Sequence, residues 1–193
     1  MGGSYVGNAA TFLIETLFGL YILIVMLRFL LQWARADFYN PVSQFILKAT
    51  QPPLAPLRKI IPGFAGLDLA AVVVMFTLKF IELWLVTGLL GIAPQIGGLA
   101  MLSIADLLAL LINVFIFSIL IQVIISWVNP GMYNPVMGLL HSLNEPLLAP
   151  ARRVIPPISG LDLSPIAVLI FLQLVSMLAV APIRDLARSM LVA

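Results

Sequence analysis

Lys79 and Glu82 stand three residues apart near the middle of a long apolar stretch. That spacing puts an ammonium and a carboxylate on one face of a helix, where they can neutralise each other. A charge at the centre of a membrane helix costs about 2.5 to 3.5 kcal/mol on insertion scales, so such groups mark functional or interhelical positions. Arg28 occupies another apolar stretch, roughly a turn and a half from its end, where a long side chain can snorkel to the interface. Gln122 and Gln173 are polar groups at matching depths in two further stretches. Two readings stay open for Arg28, Lys79, Glu82, Gln122 and Gln173: hydrogen-bonded glue between helices, or a route for an ion or a proton.

Nothing in the sequence favours an enzyme. His141 is the one histidine and cysteine is absent, so no His/Cys metal set and no thiolate nucleophile can be assembled. No nucleophile motif or phosphate-cradling glycine loop occurs either. Glu15 and Glu82 fall on stretches that run in opposite directions and make no acid/base pair. The sequence therefore predicts no catalytic residue, no metal and no cofactor.

The elements that must position these residues follow from composition. The 193 residues are 62% hydrophobic and 9% charged, against roughly 25% charge in soluble domains, so a water-facing surface cannot be covered and lipid must be the main solvent. Four stretches reach the roughly 20 residues a span needs: 10–33, 69–91, 104–127 and 165–182. The connector 92–103 carries Pro94, Gly97 and Gly98, which predict a break between helices, and 183–193 reads as a C-terminal tail. The first stretch has no basic residue before Arg28 and exceeds a signal-peptide core, so a retained span is expected.

Sliding the chain by 94 residues superimposes it on itself. Trp33 falls on Trp127, YNPV at 39–42 on YNPV at 133–136, and LAPLRKIIPGFAGLDL at 54–69 on LAPARRVIPPISGLDL at 148–163. Sixteen of the thirty-seven positions in 33–69 are identical to those in 127–163. Each unit, 10–91 and 104–182, holds two spans, so the units share one orientation and a pseudo-twofold axis along the membrane normal. The fold class is an all-α membrane protein of four transmembrane helices in two parallel repeats.

Between the spans of each unit, Asn40-Pro41 and Asn134-Pro135 fit an N-cap followed by proline at the first helical position. Val42, Phe45, Ile46 and Ala49, with Val136, Leu139, Leu140 and Leu143, then form an apolar stripe. A helix of about 16 Å is too short to span and is expected to lie flat at the interface, stripe to the acyl chains; packing against the bundle is the other reading. Pro52, Pro53, Pro56 and Pro62, and Pro146, Pro150, Pro156 and Pro157, predict a rigid extended path next. Arg58-Lys59 and Arg152-Arg153 lie on that path, placed to meet anionic headgroups or simply to anchor the spans. Asp68 and Asp162 can cap the following helix, with Ser164-Pro165 a competing start, and a salt bridge from Asp162 to Arg152 or Arg153 would close the loop.

These residues, NP followed by PLLAPARRVIPPISGLDLSPI, resemble the signature of the YggT family of small bacterial and plastid membrane proteins, over both halves of the chain. The first copy departs from the signature at Lys59, Ala70 and Ala71. The resemblance implies an inner-membrane location and a role in osmotic-stress tolerance and ion homeostasis; ion or osmolyte movement is the reading that the intramembrane Lys79, Glu82 and Arg28 add to it. The resemblance also admits a scaffold or assembly factor, in cell division or cytochrome assembly, whose basic loops bind lipids and partner membrane proteins. Membership implies no agreed molecular activity.

Arg35, Lys48, Arg58, Lys59, Arg152 and Arg153 share one side against Arg184 and Arg188 on the other, which predicts cytoplasmic repeat loops. Trp33 and Trp127 then belong to the cytoplasmic aromatic belt. Anionic lipids are the expected partners, with a homo-oligomer or other membrane proteins beside them, and no nucleic acid. Four spans with short loops enclose little water, so permeation calls for a dimer or larger assembly.

Overall fold

The computed structural model describes residues 5–64, 66–128, 134–155 and 162–192. Its helices are α1 (Tyr5–Trp33), α2 (Pro41–Arg58), α3 (Leu69–Leu89), α4 (Ile96–Val128), α5 (Pro135–Val154), α6 (Ser164–Val175) and α7 (Ala181–Val192), with a π-helical turn, Ser176–Val180, joining α6 to α7. Four helical rods are long and apolar enough to cross a membrane: α1, α3, α4 and the continuous Ser164–Leu191. The chain is a multi-pass, all-α membrane protein built as two repeats.

Within each repeat the two spans pack on each other, α1 with α3 and α4 with α6 and α7, while α3 and α4 join the repeats. The shared core contains Ile22, Val25, Met26 and Leu30 of α1, Val74 and Met75 of α3, and Ile112, Phe115 and Ile119 of α4. Phe12, Leu17, Trp84, Phe117, Ile124 and Phe171 point outward, as they should where lipid is the solvent. Two contacts cross between the repeats near α2 and α5: Trp33 meets Phe115 edge-on at 6.2 Å, and the Asn40 amide donates to the Pro135 carbonyl at 2.6 Å.

Several expectations are corrected. The prolines do not end the amphipathic helices: α2 runs through Pro52, Pro53 and Pro56, and α5 through Pro146 and Pro150. A proline removes one helical donor, and the bundle supplies a substitute. The Ala49 carbonyl, which Pro53 leaves without its partner, accepts from the Tyr21 hydroxyl at 3.2 Å. Arg58, Arg152 and Arg153 are therefore helical rather than part of an extended path, and only Lys59 follows in the turn. Pro156 and Pro157 lie outside the described residues.

The two amphipathic helices also pack on the bundle instead of offering their whole stripe to lipid. The buried face of α2 is Ser43, Ile46, Thr50 and Leu54, and that of α5 is Leu139, Leu143, Asn144 and Leu148. Val42, Phe45 and Val136 are exposed.

The connector is shorter than expected, because α4 starts at Ile96 and takes in Gly97 and Gly98. Within the expected tail, residues 183–191 continue the fourth apolar rod. The π turn Ser176–Val180, closed by the Ala181 amide donating to the Ser176 carbonyl, joins α6 to α7 and carries the helix past Pro182.

Candidate functional site

Lys79 and Glu82, one helical turn apart on α3, are joined by a salt bridge of 2.7 Å. The Lys79 ammonium also lies 3.5 Å from Asp106 Oδ2 on α4. Asp106 Oδ1 is held in turn by Arg184 of α7, from Nη2 at 2.8 Å and Nε at 3.0 Å. Four charges from three helices thus form one neutral chain, Glu82–Lys79–Asp106–Arg184, inside the span region. They line a cleft of about 310 Å³ with Gly19, Ile22, Leu110 and Asn113. Glu82 is 4% exposed, and its Oε2 has no hydrogen-bond partner among the described residues. A carboxylate oxygen only accepts, so a donor or a cation is the kind of group that would suit it.

Asp106 and Arg184 were not singled out in the sequence. Asp106 sits at the edge of an apolar stretch, where a charge looks terminal, and Arg184 follows Pro182. The π turn resets the helical phase between Val175 and Ala181 and brings Arg184 onto Asp106. A count in steps of 3.6 residues from α6 passes over that change of phase.

Arg28 belongs to a different centre. It is 2% exposed, and its guanidinium donates to Thr50 Oγ1 at 2.7 Å, Gln51 Oε1 at 3.1 Å and the Leu47 carbonyl at 3.4 Å. It holds α2 against α1 and does not snorkel. The second repeat places Gln122 and Asn144 at the same two positions, and the Asn144 amide donates to Gln122 Oε1 at 2.7 Å. Asn144 Oδ1 accepts from Ser118 at 2.6 Å. Along α1, Val25 and Met26 are buried between Ile22, which lines the cleft, and Arg28. Gln173 is exposed on α6, contrary to the inward position that its alignment with Lys79 suggested. The five polar residues are therefore not one route.

The interhelical loops repeat their chemistry closely. Asn40 caps α2 by accepting from the Val42 amide, and Asn134 caps α5 by accepting from the Met137 amide, both at 2.9 Å; Pro41 and Pro135 open those helices. Arg58 forms a salt bridge with Asp68, which also caps α3 at the Ala71 amide. Arg152 pairs with Asp162 at 2.9 Å and with Glu145 at 3.0 Å. Burial opposes the charge on Asp162, but hydrogen bonds from Ser164 and Arg152 outweigh it and hold the carboxyl below the usual carboxylate range. Burial likewise opposes the Arg152 charge, and its bonds to Asp162 and Glu145 raise its pKa above the ordinary value. In each repeat one basic residue closes the loop, while Lys59 and Arg153 stay exposed with no ion pair among the described residues.

Among the described residues no group of three or more His, Cys, Asp or Glu is placed to hold a metal ion. His141 is on the surface of α5, 3.7 Å from Glu145. Glu15 is exposed on α1.

The chain is 47% identical over 177 residues to an uncharacterized protein of Pseudomonas aeruginosa, covering 90% of this chain and 89% of that one. It is 46% identical over 176 residues to an uncharacterized protein of Vibrio alginolyticus, covering 89% and 93%. With the uncharacterized protein YggT of Escherichia coli K12 it shares 37% identity over 170 residues, covering 88% of each. No solved structure matches. The CCB3/YggT family model matches residues 7–89 and again 101–183, the same 94-residue offset that aligns the capped helices and the Arg–Asp clasps. The chain belongs to the CCB3/YggT family.

Proposed function

We propose that this protein is an inner-membrane protein supporting osmotic-stress tolerance and ion homeostasis by moving small ions at the Glu82–Lys79–Asp106–Arg184 cluster. One observation carries the reading: four charged side chains are gathered from three apolar helices around an open cleft, with a buried carboxylate oxygen left unpaired. Helix association alone does not call for so many charges, since burying ions costs more than burying apolar groups of the same shape. Arg28, by contrast, acts as glue, because each of its contacts is to α2.

Purified protein in liposomes carrying a cation gradient provides the test. The wild type is expected to dissipate the gradient faster than empty vesicles, and a Lys79→Leu, Glu82→Leu double variant to fall back to the empty-vesicle rate. Wild-type flux no greater than that of empty vesicles rejects the reading.

A scaffold role rests on a separate observation: Lys59 and Arg153 are exposed and outside the clasps, so they are free to contact anionic headgroups or a partner membrane protein. In that reading Arg58 and Arg152 shape the surface and do not contact the partner.

A further inference from the structure

We infer that the protein associates with a second copy of itself as a closed twofold dimer, in which the outward face of α6 in each copy packs on the outward face of α1 in the other.

Two like repeats should make their contacts in matching pairs, and one pair is incomplete. Span α3 packs on α4, the first span of the following repeat, and Lys79 of α3 reaches Asp106 of α4. At the 94-residue offset those two residues correspond to Gln173 of α6 and Phe12 of α1. The matching contact is not made within the chain. Helix α4 touches both α1 and α6, while among the described residues α1 meets neither α6, the π turn nor α7.

Both faces are left open. Ile166, Ile170, Gln173 and Met177 follow one another in steps of four, three and four residues, the spacing of a helix-packing seam. All four are exposed, on the side of α6 away from the buried Val168 and Leu172. On α1, Phe12, Leu13, Glu15 and Leu17 are exposed.

Lipid would serve an apolar face, but it does not serve these two. Gln173 lies about 14 Å along the fourth rod from Ser164, has no hydrogen-bond partner among the described residues, and meets acyl chains that offer none. A glutamine in that setting hydrogen-bonds across to another helix. Glu15, one turn from Phe12, likewise has no ion pair or hydrogen bond among the described residues. A carboxamide donates and a carboxylate accepts, so the two open faces complement each other. Packing α1 on α1 would bring two carboxylates together, and packing α6 on α6 would leave the α1 face uncovered. Exchanged in both directions, the α6–α1 contact closes a twofold dimer with no open end.

The cysteine-free chain allows the contact to be trapped. Two differently tagged copies would be co-expressed and their membranes oxidised with copper phenanthroline. Phe12→Cys in one copy and Gln173→Cys in the other should give a cross-linked product carrying both tags. Either variant alone should give none. Leu108→Cys, exposed on α4 two residues from Asp106, is the collision control with Gln173→Cys. Both substitutions in one chain should stop at a covalent dimer. For the amide itself, Gln173→Leu should raise the dissociation constant in liposomes about threefold or more, read by energy transfer between labelled copies on dilution with lipid, while the thermal midpoint in detergent stays put. A yield no higher than the Leu108 control would mean that lipid or another protein covers these faces, and overturns the dimer. A product from Gln173→Cys alone would place α6 against α6, and a ladder beyond the covalent dimer would mean an open assembly; each overturns the arrangement. Association unchanged or tighter in Gln173→Leu overturns the role of the amide.

Discussion

At one place the two repeats solve the same packing problem with two chemistries, each pairing a buried polar side chain of a span with one of the amphipathic helix beside it. Where α1 meets α2 the pair is Arg28 and Thr50; where α4 meets α5 it is Gln122 and Asn144. The first pair brings a charge whose Nη donors go to α2, while Nε has no partner among the described residues. Arg28→Gln alone would shorten the side chain and leave Thr50 and the Leu47 carbonyl without the guanidinium, a loss of roughly 1–3 kcal/mol. The double variant Arg28→Gln, Thr50→Asn installs the pair of the other repeat and is expected to recover most of that loss. Thermal unfolding of wild type, single and double variants in detergent measures it, and a double variant no more stable than the single would show that the sites are not equivalent. Such pairing was only half legible in the sequence. Aligning the repeats marked Arg28 and Gln122 as equivalent, but their partners Thr50 and Asn144 sit on helices expected to face lipid.

At the scale of elements, the start of α4 packs tightly against the end of α7 at Gly98. A Cβ added at Gly98 would lie 2.8 Å from the Leu191 amide nitrogen and 2.9 Å from the Met190 carbonyl carbon. Backbone atoms cannot turn aside as a side chain can, so Gly98→Ala must push the helices apart, at a cost of about 1–3 kcal/mol. Since α7 carries Arg184, the same displacement would loosen its bond to Asp106. Gly97 is the control, because a Cβ there would meet only the Met190 side chain at 3.8 Å, and Gly97→Ala should unfold near the wild-type temperature. Equal midpoints for the two variants would count against the close contact. In the sequence, Gly97 and Gly98 looked like helix breakers and the fourth stretch ended at 182. Both readings failed for a common reason. Local propensity and hydropathy are weak priors, and here a neighbouring helix needs the room that Gly98 leaves, while a π turn carries the fourth helix on past 182. The N-caps Asn40 and Asn134 were legible because a cap is satisfied within a few residues of the chain.

For the whole molecule, an even number of spans per repeat has a consequence that does not depend on any side-chain contact: both clasped loops must lie on one side of the membrane and the α3–α4 connector on the other. The repeat and the four spans could be read directly, since both are patterns along the chain. Of the charged cluster only the Lys79–Glu82 pair could be read, because it lies on one helix; the Asp106–Arg184 pair forms when α4 meets α7, and the Lys79–Asp106 contact only when the repeats pack. The lack of cysteine makes the sidedness directly measurable. Single substitutions Lys59→Cys, Arg153→Cys and Ile92→Cys can be probed with a membrane-impermeant maleimide in spheroplasts. Ile92 is 40% exposed in the connector and, by the excess of Lys and Arg in the repeat loops, is expected to react in intact spheroplasts. Cysteines at 59 and 153 should react only after permeabilisation, and should do so together. Reversal of the whole pattern would refute the cytoplasmic placement of the loops while keeping the parallel repeats. Labelling of 59 and 153 from opposite sides would refute the parallel arrangement itself, and with it the pseudo-twofold axis that relates the two Arg–Asp clasps.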